Sequence, residues 1–142
     1  MDPAFRQPQP QDLDGLVADF AERVPEVLHA VVLSSDGLPL AGSDRMQSVD
    51  ADRLSAVASG LISLADGAAR ISGYGAVTQA LVAMERGTLV IMAIDDAASL
   101  AVLTNAADLD MVAYAMTMLV EQAESLISSA ARGVVRDPHS TA

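Results

Sequence analysis

Residues 31–44 read VVLSSDGLPLAGSD, and the architecture of the chain can be worked out from this stretch. β-Branched and apolar residues run from Val27 to Ser34, and a second short apolar run covers residues 38–41. Asp36-Gly37 lies between the runs, and Asp-Gly in this position is a strong hairpin signal because glycine accepts the positive φ that the turn requires. We therefore predict a β-hairpin here.

Ser34 and Ser35 would need a neighbouring base to act as nucleophiles, and the sequence offers few candidates. The two histidines are His29, at the start of the first predicted strand, and His139, close to the C-terminus. The chain has no cysteine, and all eight of its basic residues are arginines. Cysteine nucleophiles, serine–lysine dyads and P-loops are thereby excluded, so we expect a noncatalytic protein without a cofactor.

The composition indicates one acidic domain. A length of 142 residues suits a single core. Hydrophobic residues make up 51% of the chain, yet no apolar run approaches the roughly 18 residues of a membrane span. The N-terminus does not resemble a secretory signal, so we expect a cytoplasmic protein that does not insert into membranes. Acidic residues outnumber basic ones by 19 to 8, which argues against nucleic acid as a partner.

Three helices are predicted from apolar residues at three- and four-residue spacing. The first begins at the capping residue Asp12, the second runs from a capping Asp50 to about Arg70, and the third runs from Leu109 to about Arg132. We expect residues 1–11 and 133–142 to be disordered, because neither segment carries an apolar pattern. The predicted domain therefore covers residues 12–132.

Three further strands are predicted at residues 76–84, 88–94 and 100–104, separated by the turns Arg86-Gly87 and Asp95-Asp96. Their sequences include LVIMAI and LAVL, which are apolar at consecutive positions and therefore need cover on both faces of the sheet. Tight hairpins make the sheet antiparallel. We predict an α/β/α sandwich of the α+β class, with a five-stranded antiparallel sheet and helices on both faces.

The second helix carries two stripes. An apolar stripe expected to face the sheet consists of Leu54, Val57, Ala58, Leu61, Ala65 and Ala68. A stripe of small residues on the roughly opposite side consists of Ala56, Gly60, Ser63 and Gly67. Two glycines inside a helix cost about 1 kcal/mol each relative to alanine. An alanine-rich composition scatters small residues by itself, but the helical period favours close contact with a second helix, most simply in self-association.

Two other patterns have competing interpretations. Met111, Tyr114 and Met118 form a second apolar line on the last helix, which either receives a partner or, as we favour, packs against the first helix. Three acidic pairs suggest either a metal or acid–base site, or helix caps and turns. We favour caps and turns and predict no metal site; the pairs are Asp50 and Asp52, Asp95 and Asp96, and Asp108 and Asp110.

The chain resembles the Roadblock (dynein light chain) family over about residues 12–130. The resemblance lies in the order of the segments HAVVLSSDGLPLAGS, YGAVTQALVAME, GTLVIMAID and SLAVLTNAADLDMVAYAM. It implies a profilin-like fold and a homodimer in which the second helix and third strand pair across a twofold axis. It also implies a bacterial adaptor that regulates a small Ras-like GTPase, with a sensor-kinase-like protein as a further partner.

The resemblance also implies which residues lie at each surface. It places at or near the dimer junction Ala56, Gly60, Ser63, Gly67, Val77, Gln79 and Leu81. It places near the partner surface Asp52, Arg53, Ser59 and Arg70, and we expect the two arginines to be solvated charges rather than arginine fingers. The alternative function is a sensory small-molecule-binding domain of PAS-like or profilin-like type. A single long helix between the second and third strands argues against the PAS-like form.

Overall fold

The structure is a computed structural model that describes residues 12–43 and 47–141, with side chains described as far as residue 128. It contains three helices and five strands within those ranges. In chain order they are α1 (Leu13–Arg23), β1 (Val27–Ser34), β2 (Pro39–Gly42), α2 (Ser48–Ser72), β3 (Gln79–Met84), β4 (Gly87–Asp95), β5 (Ala98–Thr104) and α3 (Leu109–Thr141).

The five strands form one antiparallel sheet in the order β2-β1-β5-β4-β3. α1 and α3 pack on one face, and α2 packs on the other. Val31 and Val32 are both fully buried, because consecutive side chains of β1 point to the two covered faces. The predicted five-stranded α/β/α sandwich is therefore confirmed.

Each face of the sheet has its own apolar core. On the α1 and α3 side, Phe20 and Met116 pack with Val32, Leu100 and other buried side chains. On the α2 side, Leu54 and Ala58 pack with a smaller set that includes Val31, Leu33 and Ile91. The helix that covers the smaller core, α2, therefore buries less of its own surface.

The serines of the opening stretch belong to a turn, as predicted. Gly37 has φ +88°, a conformation that side chains with a Cβ rarely adopt. Its N–H donates to the Ser34 carbonyl at 3.0 Å, and the Ser34 N–H donates to the Leu38 carbonyl at 2.8 Å. The Ser59 hydroxyl of α2 donates to the Ser35 carbonyl at 3.1 Å, which ties the turn to the helix.

The capping predictions have mixed outcomes. Asp12 caps α1 by accepting the Gly15 N–H at 2.8 Å, and Asp108 accepts the Asp110 N–H at 2.9 Å just before α3. Asp95 accepts the Ala97 N–H at 2.8 Å in the β4–β5 turn. Asp50 does not cap α2, because that helix begins two residues earlier after Gln47, so Asp50 lies in the first turn and stabilises the helix dipole instead.

Two element boundaries differ from the prediction. β3 begins at Gln79 and not at Ala76, after a bend that follows the end of α2 at Ser72. α3 continues to Thr141 instead of ending near Arg132, and the disorder expected for residues 133–142 stays a prediction. Gly133 lowers helix propensity by only about 1 kcal/mol and does not force an end. Residues 1–11 lie outside the described residues.

Candidate interaction surface

The side of α2 that faces away from the sheet is apolar and exposed. Leu64 and Ile71 are 78% and 90% exposed, and Val57 is more than half exposed. These three residues are seven positions apart, and Gly60 and Gly67 lie between them at three- and four-residue spacing. Because this spacing follows the helical repeat, the five residues form one continuous line along the helix. We call this line the α2 seam.

The exposure of the α2 seam shows that the predicted choice of the sheet-facing side of α2 was wrong in part. Val57 and Ala68, which we expected to face the sheet, are exposed. Ser55 is fully buried in their place, and Ile62 packs against the core. The predicted stripe, which included Val57 and not Ser55, was therefore rotated away from the face that packs on the sheet. The seven-residue repeat of Val57, Leu64 and Ile71 was the signal that would have revealed the seam.

The two seam glycines have no purpose within the protomer. A Cβ built on Gly60 or on Gly67 meets nothing within 4 Å. Each glycine nevertheless costs the helix about 1 kcal/mol relative to alanine. Their φ angles are negative, so the backbone does not require glycine either. Within the described residues, the space beside both glycines is therefore open.

β3 supplies a second incomplete surface beside α2. It lies at one end of the sheet and, among the described residues, pairs with β4 alone, so its other edge has backbone groups without a strand partner there. Gln79 is exposed and the apolar Leu81 is half exposed, while Ala80 and Val82 pack toward α2. An exposed edge strand with apolar side chains is a template for pairing with another chain.

The remaining predicted junction residues lie on α2 beside the seam and in the segment before β3. Ala56 is exposed next to the seam. Ser63 lies on a flank of α2 and lines a cleft of about 280 Å³ together with Val77, Asp66 and Asp95. Val77 precedes β3 and is not part of the strand. Ala56, Gly60, Ser63 and Gly67 therefore share one face of α2, whereas Val77 lies outside both α2 and β3.

The four residues of the predicted partner surface do not form one cluster. Arg53 lies one turn before Val57 on the seam side of α2, whereas Asp52 is displaced by about 100° around the helix. Arg70 lies about 27 Å further along the axis than Asp52. Ser59 is half-buried and its hydroxyl is engaged by the β1–β2 turn. Neither arginine forms an ion pair with the described side chains.

The described side chains offer no assembled catalytic or metal centre. No group of three or more His, Asp or Glu side chains is placed to hold a metal within this part of the chain. His29 lies five residues before Ser34 on β1, about 16 Å away along the strand, which is too far for proton transfer. The exposed apolar surfaces are therefore the most distinctive features of the described molecule.

The apolar character of α2 has a second interpretation. It is 25 residues long, and a window of mean hydropathy 1.2 within it, of which 17% is buried, meets the length and composition of a membrane-crossing helix. One such helix is weak support for a membrane span, and α2 packs against the sheet through Leu54 and Ala58. An exposed apolar helix can equally be covered by another protein surface.

Comparison with known proteins assigns the chain to a family. The model of the Roadblock/LC7 domain matches residues 13–104. The chain belongs to the Roadblock/LC7 family. A Roadblock/LC7 domain from Streptomyces avermitilis is 33% identical with a TM-score of 0.78, and the match covers 83% of this chain and 99% of that one. Another Roadblock/LC7 domain from this organism is 42% identical with a TM-score of 0.65, and the match covers 79% and 98%.

More distant members of the fold class share the architecture of this Roadblock/LC7 domain. Myxococcus xanthus MglB is 12% identical with a TM-score of 0.76, and the match covers 84% of this chain and 97% of MglB. At that identity the likeness concerns the fold. No curated protein sequence matches the chain. The profilin-like, Roadblock-type fold predicted from the sequence is confirmed.

Proposed function

We propose that this Roadblock/LC7 protein is a noncatalytic homodimeric adaptor that binds and regulates a small Ras-like GTPase in the bacterial cytoplasm. The observation that carries the proposal is the α2 seam, an exposed apolar line whose two glycines leave space that the protomer does not use. The seam and the β3 edge adjoin one another, so one partner surface can cover both.

A second copy of the chain suits these two surfaces. Across a twofold axis, the large seam residues Leu64 and Ile71 of each copy have room beside Gly60 and Gly67 of the other, because small residues let helices approach closely. Pairing β3 with its symmetry mate would satisfy both unpaired edges and extend the sheet to ten strands. Gln79 and Leu81 would then lie at the centre of that sheet, as the family resemblance implies.

The dimer also offers a reason for the composition of α2. Burial of apolar surface contributes about 25 cal/mol per Å², so leaving Val57, Leu64 and Ile71 in water forgoes several kcal/mol. Covering them in a dimer recovers that free energy without a membrane. Asp52, Arg53, Asp66 and Arg70 add charges along α2 that would be costly in hydrocarbon, and we infer that α2 lies at a protein interface.

Two observations support regulation of a GTPase: the family resemblance, and the absence of a nucleotide-binding motif in this chain. Without lysine it has no P-loop, so it would act on a nucleotide switch in another protein. Two paired α2 helices would give a symmetric surface flanked by Arg53 and Arg70. If that surface binds one nucleotide state more tightly than the other, its differential affinity biases the cycle of the GTPase. A sensor-kinase-like protein is proposed as a further partner of the complex.

The proposal is tested by light scattering after size exclusion. The chain is measured alone and mixed with the Ras-like GTPase encoded nearest to its gene, loaded with GDP or a GTP analogue. We expect twice the protomer mass of 14.7 kDa for the chain alone and a complex in one nucleotide state. A monomer contradicts the dimer, and a dimer that binds neither form contradicts regulation of that GTPase. Arg53→Ala is the matched variant: unchanged binding and hydrolysis would exclude an arginine finger.

A sensory domain is the second candidate, and the cleft beside α2 is the observation that favours it. The cleft has a volume of about 280 Å³ and is lined by serines and by Asp66, Asp95 and Asp96, so it offers hydroxyl and carboxylate groups to a small polar molecule. Native mass spectrometry of the purified protein tests this function. A stoichiometric small molecule, released on unfolding and displaced by Ser63→Leu, would favour the sensory function over the adaptor.

A further inference from the structure

An apolar groove runs between α1 and α3 on the face of the sheet opposite α2. Leu16 and Phe20 of α1 and Leu119 of α3 form its floor, while Tyr114 and Met118 form one rim. Its volume is about 300 Å³. Its lining runs from Leu16 to Val24 on the α1 side and from Tyr114 to Gln122 on α3, so the groove is about 12 Å long, which matches roughly two turns of a helix.

The rim of this groove is exposed, contrary to the prediction that the first helix covers it. We expected Met111, Tyr114 and Met118 to be covered by the first helix, but α1 packs beside them and leaves them in solvent. Met111 is 76% exposed and Tyr114 is 70% exposed. Their spacing of three and four residues places all three side chains on one face of α3. Methionine is flexible and polarisable and suits surfaces that accept another polypeptide.

The two chain segments that form the groove are acidic. Within residues 12–26 and 105–128 there is one basic residue, Arg23, and it pairs with Asp19 at 2.8 Å, with both residues in the lining of the groove. The same residues include nine carboxylates, which are Asp12, Asp14, Asp19, Glu22, Glu26, Asp108, Asp110, Glu121 and Glu124. α2 is different, because its two arginines offset most of the charge of Asp50, Asp52 and Asp66. Nine carboxylates against one arginine give these two segments a net formal charge of −8, which lies mostly on residues outside the groove lining.

We propose that the groove between α1 and α3 binds a basic amphipathic helix of another protein. The apolar side of such a helix would seat against Phe20, Tyr114 and Met118, and lysines or arginines on its flanks would meet the surrounding carboxylates. A third helix resting on two packed helices is a common arrangement, because ridges of side chains fit the groove between them. Asp110 and Glu121 stand along the outer side of the rim, where the flanking charges would lie.

This site goes beyond the proposed function and does not depend on it. The α2 seam lies on the opposite face of the sheet, so a dimer joined through α2 and β3 keeps both of its grooves open. One dimer would thus carry two sites for basic helices in addition to its GTPase surface. Failure of GTPase binding would leave the groove proposal intact, and the reverse is equally true.

The test uses a synthetic peptide of about 15 residues, made of leucine and lysine in an amphipathic helical pattern. The full chain carries ¹³C-methyl methionine, and its methyl resonances are followed by NMR. Met118 lines the groove and Met111 lies two turns before it on the same face of α3, so both report on a bound helix, and Met84 at the end of β3 is the internal control. We expect the two groove resonances to shift with saturation while that of Met84 stays in place. The matched control is the same peptide with glutamate in place of lysine, which should not bind.

Two variants separate the apolar and the electrostatic contributions. Tyr114→Ser with Met118→Gln should weaken binding of the lysine peptide by about tenfold, because side chains that become buried on binding are lost. Asp110→Asn with Glu121→Gln should weaken it by about threefold at low salt and have less effect at high salt. Leu38→Gln, an exposed apolar residue in the β1–β2 turn, should leave binding unchanged. All these positions are exposed, and circular dichroism checks that each variant folds.

Several outcomes would overturn the proposal. Equal binding of the lysine and glutamate peptides, or equal binding by the wild type and the Tyr114→Ser/Met118→Gln variant, would do so. A lower oligomer mass in that variant would show that a second copy of the chain occupies the groove. Shifts of Met111 and Met118 on deletion of residues 1–11, without peptide, would show that the chain's own N-terminal segment occupies it.

Discussion

Substituting Gly60 by leucine separates the proposed dimer from the folded protomer. Within the protomer a new side chain at Gly60 has open space, since a Cβ there meets nothing within 4 Å. Leucine also raises the helix propensity of α2 by about 0.8 kcal/mol. The protomer should therefore fold at least as well as the wild type, with an unchanged far-ultraviolet circular dichroism spectrum.

The dimer should respond in the opposite direction. Overpacking a closely packed site costs about 1–3 kcal/mol, and twofold symmetry places the substitution in the dimer twice. The total of about 2–6 kcal/mol corresponds to a rise in the dimer dissociation constant of roughly 30-fold to 10⁴-fold. Sedimentation velocity over a range of protein concentrations measures this constant directly.

The control for Gly60→Leu is Thr117→Leu, which places a leucine at an exposed position on α3, away from the α2 seam. It should leave the dissociation constant unchanged. If Gly60→Leu also leaves the constant unchanged, the α2 seam is not the dimer contact and the reasoning from its glycines is wrong. Loss of helical signal in Gly60→Leu would instead show that the glycine serves the protomer.

Three further predictions concern the edge strand, the turn and the α2 core. Leu81→Lys should raise the dimer dissociation constant by at least about tenfold in sedimentation velocity, because charge on an edge strand opposes pairing. Gly37→Ala should lower the free energy of unfolding by about 1–2 kcal/mol, since φ +88° strains any residue with a Cβ. Urea titration measures this, and an unchanged urea midpoint would contradict the prediction. Ser55 is buried and its hydroxyl has no hydrogen-bond partner among the described residues, so Ser55→Ala should preserve the free energy of unfolding or raise it by about 1 kcal/mol. A clear loss of stability would show that the hydroxyl is bonded.

The sequence predicted the sheet well because its signals there are local. Asp36-Gly37 specified a turn whose φ angle the structure confirms, and consecutive apolar residues such as Val31 and Val32 indicated a sheet covered on both faces. The limits of β1, Val27–Ser34, agree with the prediction residue for residue. Each of these inferences depends on neighbouring residues alone.

The predictions were weaker where tertiary packing decides. α2 has apolar residues on two sides, so its sequence alone does not say which side meets the sheet, and burial of the polar Ser55 was not foreseen. Likewise, the line of Met111, Tyr114 and Met118 was expected to meet α1, but the crossing of α1 and α3 leaves it open. The position of one helix relative to another depends on the whole core and is not encoded in one segment.

The proposed function is that this Roadblock/LC7 protein regulates a small Ras-like GTPase through a surface that distinguishes nucleotide states. Isothermal titration calorimetry of the purified protein with the GTPase, loaded first with GDP and then with a GTP analogue, measures the two affinities. We predict that they differ by at least about tenfold, as a coupling free energy of 1–3 kcal/mol requires. Equal affinities would contradict regulation by differential binding, however tight the two complexes are.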